Sequence, residues 1–237
     1  MIPGIPGGQL SNRPLHFFWL ADCSGSMAGA KIQALNNAIR EAIPEMRRAA
    51  DNNPNAQVLV RAIKFSSGAQ WHIAQPTLLD QFQWIDLQAG GVTDMGRAFL
   101  LVAEQLKVPP MVSRGLPPVL VLVSDGHPTD DANRGLAAIM AEPWGNKAVR
   151  LAIGIGDDVD YNILQNFIGN PEISPCHANN SDQLAYYIKW ASTVAIQASS
   201  SPNAQASTSQ DQAALAPTQL AIPAPSPMPG GQSQDVF

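Results

Sequence analysis

The sequence predicts an α/β domain that is doubly wound, with a mostly parallel central sheet, one antiparallel edge strand and helices on both faces. Two observations lead to this fold class. Short apolar runs without polar alternation, such as PPVLVLVS at 117–124, are typical of parallel strands that are covered on both faces. These runs alternate along the chain with longer segments in which apolar residues recur at helical spacing, and this alternation favours βαβ units.

The first strand and the first helix have the clearest patterns. LHFFWLA at 15–21 is a continuous apolar run, which predicts a buried strand. Segment 28–50 follows it with apolar residues at helical spacing, which predicts a helix. Pro44 lies inside that segment and has no backbone donor, so it should kink the helix or mark its last turns.

The later elements repeat this order of strand and helix. Further strands are predicted at 56–65, 117–124 and 149–156, and a shorter segment at 67–73 turns back on the second strand as the antiparallel edge. Helices are predicted at 93–107, 130–142 and 182–198, with a short helix at 161–169. Strands separated by helices at these spacings are expected to pair in parallel.

Composition divides the chain into one domain and two flanking segments. Residues 1–13 are rich in Gly and Pro and predict a flexible N-terminal arm. Residues 199–237 form a Pro/Ser/Ala/Gln-rich tail without Lys or Arg, which is predicted to be disordered because it has too little apolar area to bury. The folded domain between them is predicted to span 14–198.

Charge and cysteine content limit the possible partners and compartments. The chain has 14 Lys and Arg against 19 Asp and Glu, for a formal net charge of −5, and it has no basic stripe, so we expect no nucleic-acid partner. The N-terminus lacks the pattern of a secretory signal and no apolar run approaches the length of a bilayer span, so we expect no membrane partner. Cys23 and Cys176 lie in different predicted elements, which fits free thiols in a reducing compartment. A cytoplasmic monomer is the resulting expectation.

Oxygen-bearing side chains follow two of the predicted strands and precede one predicted helix, all at the same edge of the sheet. Asp22, Ser24 and Ser26 alternate directly after the first strand. Thr93 lies in a Gly-rich loop before a helix, and Asp125 ends another buried strand. Since ligands of open α/β sheets bind at the carboxyl ends of the strands, these five side chains are expected to meet there.

Two carboxylates and three hydroxyls, without a nearby His or Cys, form a hard donor set that suits Mg²⁺, Mn²⁺ or Ca²⁺ and argues against zinc or copper. In an extended loop, the alternate spacing of Asp22, Ser24 and Ser26 lets all three face one point. Hydroxyl ligands leave the ion electrophilic, with a position open for a carboxylate from outside. The structural alternative is helix capping, by Ser or Asp near Met27 and by Thr93 for the helix that follows it.

The motifs DCSGSM, GGVTD and SDG resemble, in order and spacing, the metal-ion-dependent adhesion site (MIDAS) of von Willebrand factor A (vWA) domains, over about residues 13–198. Among these domains, GGVTDMGRA and VSDGHPTDD look most like the bacterial tellurium-resistance branch, the TerY-like proteins. The resemblance implies a divalent cation, Mg²⁺ or a similar ion, that bridges to an acidic residue of a partner protein. Ser24 and Ser26 would be direct ligands, Thr93 a ligand that engages when the site is occupied, and Asp22 and Asp125 ligands directly or through water.

The leading hypothesis is therefore a protein-protein interaction module that depends on metal and is not an enzyme. The family resemblance implies a role in bacterial stress or tellurite-resistance signalling, with an associated kinase and phosphatase as candidate partners. Two alternatives remain: a metal-assisted hydrolase that uses the same cation to activate water, and a structural domain stabilised by metal. Ser24 lacks a G-x-S-x-G context and no His shares its loop, which disfavours a Ser-His-Asp triad.

Several residues near the site have simpler interpretations. His127 follows the SDG motif and is interpreted as a solvated loop residue, with modulation of the site by pH as the alternative. Thr129, Asp130 and Asp131 are interpreted as caps of the helix that follows them, with support of the site from outside its ligands or contact with a partner as the alternative. Cys23 should alternate away from the metal and be buried. Trp71, Trp84 and Met95 either rim the site or pack in the core.

Overall fold

Six strands and five α-helices alternate along the chain in the computed structural model, which describes residues 12–53, 56–200, 222–226 and 237. The strands are β1 (Arg13–Asp22), β2 (Ala56–Ser66), β3 (Gly68–Leu78), β4 (Val119–Ser124), β5 (Val149–Ile155) and β6 (Cys176–Ala178). The helices are α1 (Ala30–Asp51), α2 (Met95–Ala103), α3 (Ala132–Ala141), α4 (Tyr161–Ile168) and α5 (Ser181–Ser200). Most of the predicted arm at 1–13 and of the predicted tail at 199–237 lies outside the described residues.

The strands form one sheet with the order β3-β2-β1-β4-β5-β6. All neighbouring strands pair in parallel except β2 and β3, which are antiparallel. This arrangement confirms the predicted fold class, including the single antiparallel edge strand. The edge strand continues to Leu78, beyond the predicted end at residue 73, and its register with β2 shifts on both sides of Ala62.

The boundaries differ from the predicted ones where local pattern is weak. Strand β6 has three residues and is not predicted, because so short a segment has no periodic pattern to recognise. Helix α2 ends at Ala103 rather than at residue 107. Helix α1 passes through Pro44 and continues to Asp51, about two turns further.

The core lies in two layers, one on each face of the sheet. Successive residues of β1 alternate between them, because side chains along a strand point to opposite faces. Phe17 and Trp19 belong to the layer under α1 and α5, whereas Phe18 and Leu20 belong to the layer under α2, α3 and α4. All four side chains are fully buried, which explains why β1 is a continuous apolar run.

The central position of β1 determines where the functional loops lie. Strands β1 and β4 are parallel neighbours, with Ala21 paired to Val123. Their carboxyl ends therefore lie side by side, and Asp22 and Ser124 follow directly from this paired register. The sheet order thus brings together two loops that are about 100 residues apart in sequence.

Two described pieces of the C-terminal segment contact the domain. Ile222 and Phe237 pack against the core layer under α1 and α5. The Tyr186 hydroxyl donates to the Ser226 carbonyl at 2.8 Å, and the Phe237 N–H donates to the Asn179 carbonyl at 3.1 Å. Across the described ranges, no helix combines the length and the apolar character that a bilayer span requires.

Candidate metal centre

The structure brings the five predicted site residues to the carboxyl edge of the sheet, around the ends of β1 and β4. Four of them, Asp22, Ser24, Thr93 and Asp125, are buried, whereas Ser26 is exposed. The exposed hydroxyl lies where a partner molecule can reach it. Their assignment as metal ligands stays a prediction.

Asp22 is the last residue of β1, and both oxygens of its carboxylate accept hydrogen bonds. Its Oδ1 accepts from the Ser24 N–H at 2.8 Å, and its Oδ2 accepts from the Ser124 hydroxyl at 2.5 Å. Burial raises the pKa of Asp22 and the nearby charge of Asp125 adds to this effect, while the hydrogen bonds from Ser124 and Ser24 act in the opposite direction. The carboxylate is therefore a fixed, poorly solvated oxygen pair.

A chain of hydroxyl contacts connects the β1 loop to the end of β4. The Oγ atoms of Ser24 and Ser26 are 3.0 Å apart, and the Ser26 hydroxyl donates to Asp125 Oδ1 at 2.7 Å. A Cβ placed on Gly126 would lie 3.8 Å from both Ser26 Oγ and Thr93 Oγ1. The three hydroxyls and the Asp125 carboxylate thus converge on one small region next to Gly126.

Lys31 is part of this site, although the sequence analysis did not single it out. Its Nζ donates to Asp125 Oδ2 at 2.6 Å, the Asp125 side chain is fully buried, and the Lys31 side chain is 19% exposed. Lys31 lies in the first turn of α1, where the helix dipole disfavours a positive charge. That unfavourable position is the signal that a specific acidic partner holds the lysine.

Backbone hydrogen bonds join the β1 loop to the Gly-rich loop. The Gly25 N–H donates to the Gly91 carbonyl at 2.9 Å, and the Gly90 N–H donates to the Cys23 carbonyl at 2.8 Å. Gly91 has a φ of +86°, and a Cβ there would lie 2.5 Å from Ser67 Oγ. Since an L side chain would be both strained and in collision, glycine is required at this position.

Thr129 fixes the loop that carries Thr93. The Thr93 N–H donates to Thr129 Oγ1 at 3.0 Å, and the Thr129 N–H donates back to the Thr93 carbonyl at 2.8 Å. The Thr129 hydroxyl in turn donates to Asp94 Oδ1 at 3.0 Å. The interpretation of Thr129 as a cap of the following helix is therefore wrong, because its side chain positions the preceding loop instead.

The two acidic residues after Thr129 cap two different helices. Asp131 caps α3, as predicted, by accepting from the Arg134 N–H at 2.9 Å. Asp130 instead accepts from the Gly96 and Arg97 N–H groups, both at 2.8 Å, and so caps α2. A Cβ on Gly96 would lie 2.4 Å from the Asp131 carbonyl oxygen, so the glycine permits the close approach of the two helix starts.

Other residues near the site confirm the simpler interpretations. His127 has an exposed side chain whose Nδ1 lies 3.4 Å from Asp160 Oδ2. Trp84 and Met95 are buried and do not rim the site, and the Trp84 Nε1–H donates to Asn36 Oδ1 at 2.9 Å. Trp71 contacts Phe18 and Arg61, away from these loops.

Both cysteines are buried free thiols, as the sequence predicts. Cys23 donates its S–H to the Phe65 carbonyl at 3.3 Å, which keeps the thiol away from the neighbouring oxygen donors. Burial raises the pKa of Cys23 and raises that of Cys176 to about 12. Neither thiol is therefore suited to metal ligation or nucleophilic attack at neutral pH.

The donor set fits a hard divalent cation. Within the described residues, no group of three or more His, Cys, Asp and Glu side chains lies close enough to hold a metal, so a cation here would depend on the hydroxyls as well as on the two carboxylates. Such all-oxygen sets suit Mg²⁺, Mn²⁺ and Ca²⁺. Asp22 and Asp125 carry two negative charges when ionised, and among the described residues the one ion pair that either of them forms is that of Asp125 with Lys31.

A family model described as the von Willebrand factor type A domain matches residues 18–188. The match begins in β1 and ends in α5, so it includes every residue of the candidate centre. A comparison with curated proteins returns no match.

Solved structures with the same fold come from bacteria and from an animal. A von Willebrand factor type A protein from Catenulispora acidiphila is 17% identical, with a TM-score of 0.59 over 78% of this chain and 43% of that chain. The pilus adhesin SpaC from Lactobacillus rhamnosus GG is 16% identical, with a TM-score of 0.61 over 78% of this chain and 30% of that chain. Proximal thread matrix protein 1 from the mussel byssus, with a zinc-occupied MIDAS motif, is 14% identical, with a TM-score of 0.55 over 79% of this chain and 46% of that chain. The chain spans less than half the length of each, and the likeness shows a shared fold.

Proposed function

The chain belongs to the von Willebrand factor type A domain family, and we propose that it is a metal-dependent protein-protein interaction module rather than an enzyme. In this proposal the MIDAS-type site holds a divalent cation and receives a carboxylate from a partner protein. The observation that carries it is the charge of the site. Both carboxylates are buried, and among the described residues the ammonium of Lys31 pairs with Asp125, while Asp22 has no cation paired with it. Buried charges without compensation are costly.

Each side chain has a distinct part in this proposal. When bound, the cation would supply a positive centre that a partner's carboxylate can approach. Ser24, Ser26 and Thr93 would hold it with neutral oxygens, which leave most of its positive charge available to that carboxylate. Asp22 would contribute from a position fixed by Ser124 and by the Ser24 N–H. Ser26, as the exposed member, would lie at the contact with the partner.

We propose Mg²⁺ as the ion, with Mn²⁺ and Ca²⁺ as the other candidates. Hydroxyl and carboxylate oxygens are hard ligands, and the nearest thiol, Cys23, donates to a backbone carbonyl instead. The zinc-occupied motif belongs to the mussel protein. Zn²⁺ therefore has to be included as a competitor in any measurement.

Calorimetric titration with MgCl₂, MnCl₂, CaCl₂ and ZnCl₂ tests the metal site. We expect saturable binding to the wild type, its loss in Asp125→Asn, and at least about tenfold weaker binding in Ser26→Ala, since the exposed Ser26 can lose its hydroxyl without a core defect. Asp86→Asn, which changes an exposed carboxylate, is the control and should bind as the wild type does. No binding to the wild type, or equal binding to all four proteins, would disprove the site.

The interaction role is separated from its two alternatives by partner capture and turnover. We expect a partner to be retained with MgCl₂ and released by EDTA, and not to be retained by Ser26→Ala. Retention that ignores both EDTA and the variant would favour a structural metal. Turnover of phosphoesters or peptides that Ser24→Ala abolishes would favour the hydrolase.

The biological context of the proposal rests on the motif resemblance alone. We propose a bacterial, cytoplasmic monomer that acts in stress or tellurite-resistance signalling, with an associated kinase and phosphatase as candidate partners. The tellurium-resistance, TerY-like assignment is supported by GGVTDMGRA and VSDGHPTDD. Genes for such a kinase, phosphatase or tellurium-resistance protein next to this one would support the context, and their absence would remove it while leaving the metal proposal untouched.

A further inference from the structure

A buried arginine lies in the sheet away from the candidate metal centre, and the metal proposal does not use it. Arg61 lies in β2 on the face covered by α2 and is 5% exposed. Its guanidinium carbon lies 4.6 Å from the ring centroid of Phe18 and 5.2 Å from that of Trp71. Burial lowers the pKa of Arg61 to about 10, so the group still carries its charge at neutral pH.

This guanidinium has no carboxylate beside it among the described residues. Its Nη1 donates to Gln105 Oε1 at 2.7 Å, while Nε is buried without an acceptor. Arg150, which is also largely buried, instead donates to the carbonyls of Phe167 and Gly145 at 2.7 and 2.8 Å. Arg61 is therefore a buried cation without a carboxylate counterion, and its Nε–H has no acceptor, which is a costly arrangement.

Arg61 lines a cavity of about 320 Å³ between β3 and the segment that follows α2. Its other walls include Trp71, Pro76, Met111 and the amide of Gln105. His16 also lines it, with a buried Nδ1 that has no hydrogen-bond partner. Burial and the charge of Arg61 lower the pKa of His16 to about 4, so Arg61 is the one charged residue among those that line the cavity at neutral pH.

The cavity is separate from the metal centre. Arg61 pairs in register with Phe18, four positions before Asp22 along β1. At the rise of a β-strand this places the two sites on the order of 13 Å apart along the sheet. The metal residues and the cavity residues named here have no member in common.

We propose that this cavity binds a small free monocarboxylate, with the carboxylate paired to Arg61 and the apolar body of the acid against Trp71, Pro76 and Met111. The single negative charge of a monocarboxylate matches the single positive charge of Arg61, whereas a phosphate monoester would bring close to two negative charges. A guanidinium is the side chain best suited to carboxylates, and the aromatic faces hold its plane in place. The volume lies at the lower end of the range of small-molecule sites.

The test uses butyrate as the probe and the full chain labelled with ¹⁵N. We expect saturable changes at millimolar butyrate in the Arg61 Nε–H and Trp71 Nε1–H signals, and no comparable change with butyramide, its uncharged isostere. Arg61→Gln should weaken butyrate binding at least about tenfold, whereas Arg97→Gln, which changes an exposed arginine, should leave it unchanged.

A second variant keeps the proposal testable if Arg61→Gln does not fold. Gln105→Glu places a carboxylate next to Arg61 Nη1 and should abolish butyrate binding by supplying the counterion internally. No saturable change up to about 50 mM butyrate would overturn the proposal, as would equal effects of butyrate and butyramide, or unchanged binding in Gln105→Glu. Binding of N-acetyl-glutamate amide without binding of butyrate would overturn the assignment to a free acid and indicate an acidic peptide side chain instead.

Discussion

At the scale of single residues, Lys31 brings a positive charge to the candidate metal centre. Its ammonium pairs with Asp125, whose side chain is fully buried, so Lys31 acts as a cation built into the protein. A bound divalent cation would have to share Asp125 with this ammonium. The affinity for metal therefore depends on Lys31 as well as on the ligands.

Lys31→Met is expected to raise the affinity for Mg²⁺ on the order of tenfold, because it removes the competing positive charge and leaves Asp125 without compensation. Calorimetric titration measures the change, and Lys31→Arg, which keeps the charge, should stay close to the wild type. Weaker binding in Lys31→Met would show instead that the lysine is needed to hold Asp125 in place.

His16 predicts a pH dependence of stability. Its pKa is lowered from 6.5 to about 4 in the folded protein, so the unfolded chain takes up the proton first as the pH falls. The stabilisation is fully present above pH 6.5 and is lost progressively between pH 6.5 and about 4, by about 3 kcal/mol in total. Urea unfolding across this range should show a smaller loss in His16→Gln than in the wild type, and equal losses in both proteins would contradict the prediction.

Residue chemistry alone identifies the oxygen donors but not the groups that position them. The alternate spacing of Asp22, Ser24 and Ser26 is a local pattern, so it is visible in the sequence. The contact between Lys31 and Asp125 joins residues 94 positions apart, and that between Ser124 and Asp22 joins residues 102 positions apart. Such contacts depend on the sheet order, which no local pattern specifies.

At the scale of elements, the loop that carries Thr93 depends on its glycine. Gly91→Ala combines a positive φ with a contact of 2.5 Å to Ser67 Oγ, whereas Gly68→Ala has a similar φ of +87° and open space around the added Cβ. We expect Gly68→Ala to cost about 1 kcal/mol of unfolding free energy and Gly91→Ala at least about 1 kcal/mol more.

The same two glycine variants also test how the Gly-rich loop affects the candidate metal centre. Because the Gly91 carbonyl accepts from the Gly25 N–H in the loop that carries Ser24 and Ser26, Gly91→Ala should also weaken the proposed Mg²⁺ binding, while Gly68→Ala should leave it nearly unchanged. Urea unfolding and calorimetric titration measure the two effects. Similar unfolding free energies and similar Mg²⁺ affinities for the two variants would show that the contact between the added Cβ and Ser67 Oγ relaxes without consequence.

Element predictions are accurate where patterns are long and fail where contacts cross between elements. Helix α1 is recognisable because its apolar face repeats over 22 residues. Asp130 is misinterpreted because a residue just before a helix normally caps that helix, whereas its carboxylate lies at the start of α2. The close approach of α2 and α3, which Gly96 permits, is a tertiary contact that local sequence patterns do not show.

At the scale of the whole molecule, both thiols report on global unfolding. Cys23 is 3% and Cys176 is 6% exposed, and burial raises the pKa of both. We expect a disulfide reagent such as DTNB to react with neither thiol in the native protein at pH 8 and with both in concentrated urea. Cys23→Ala and Cys176→Ala assign the signals, and fast reaction of either thiol without denaturant would contradict the described packing.

The fold of the whole molecule is predictable because the strands are nearly continuous apolar runs separated by amphipathic helices, a pattern that few architectures accommodate. Function is less determined at this scale, since one fold supports many roles. The cavity at Arg61 illustrates why a candidate binding site is harder to predict from sequence than the fold. It forms from β2, β3 and the segment after α2, and nothing in the sequence near Arg61 indicates that the guanidinium lacks a counterion.

The two outer strands also affect how the protein behaves at high concentration. An open sheet exposes unpaired backbone groups at its borders, and these can recruit strands from other chains into aggregates. Here one border is β3, which contains Pro76 and is out of regular register with β2 around Ala62, and the other is β6, with three residues. Within the part of the chain that the structure describes, neither border is both long and regular, and this disfavours the addition of strands from other chains at either side of the sheet.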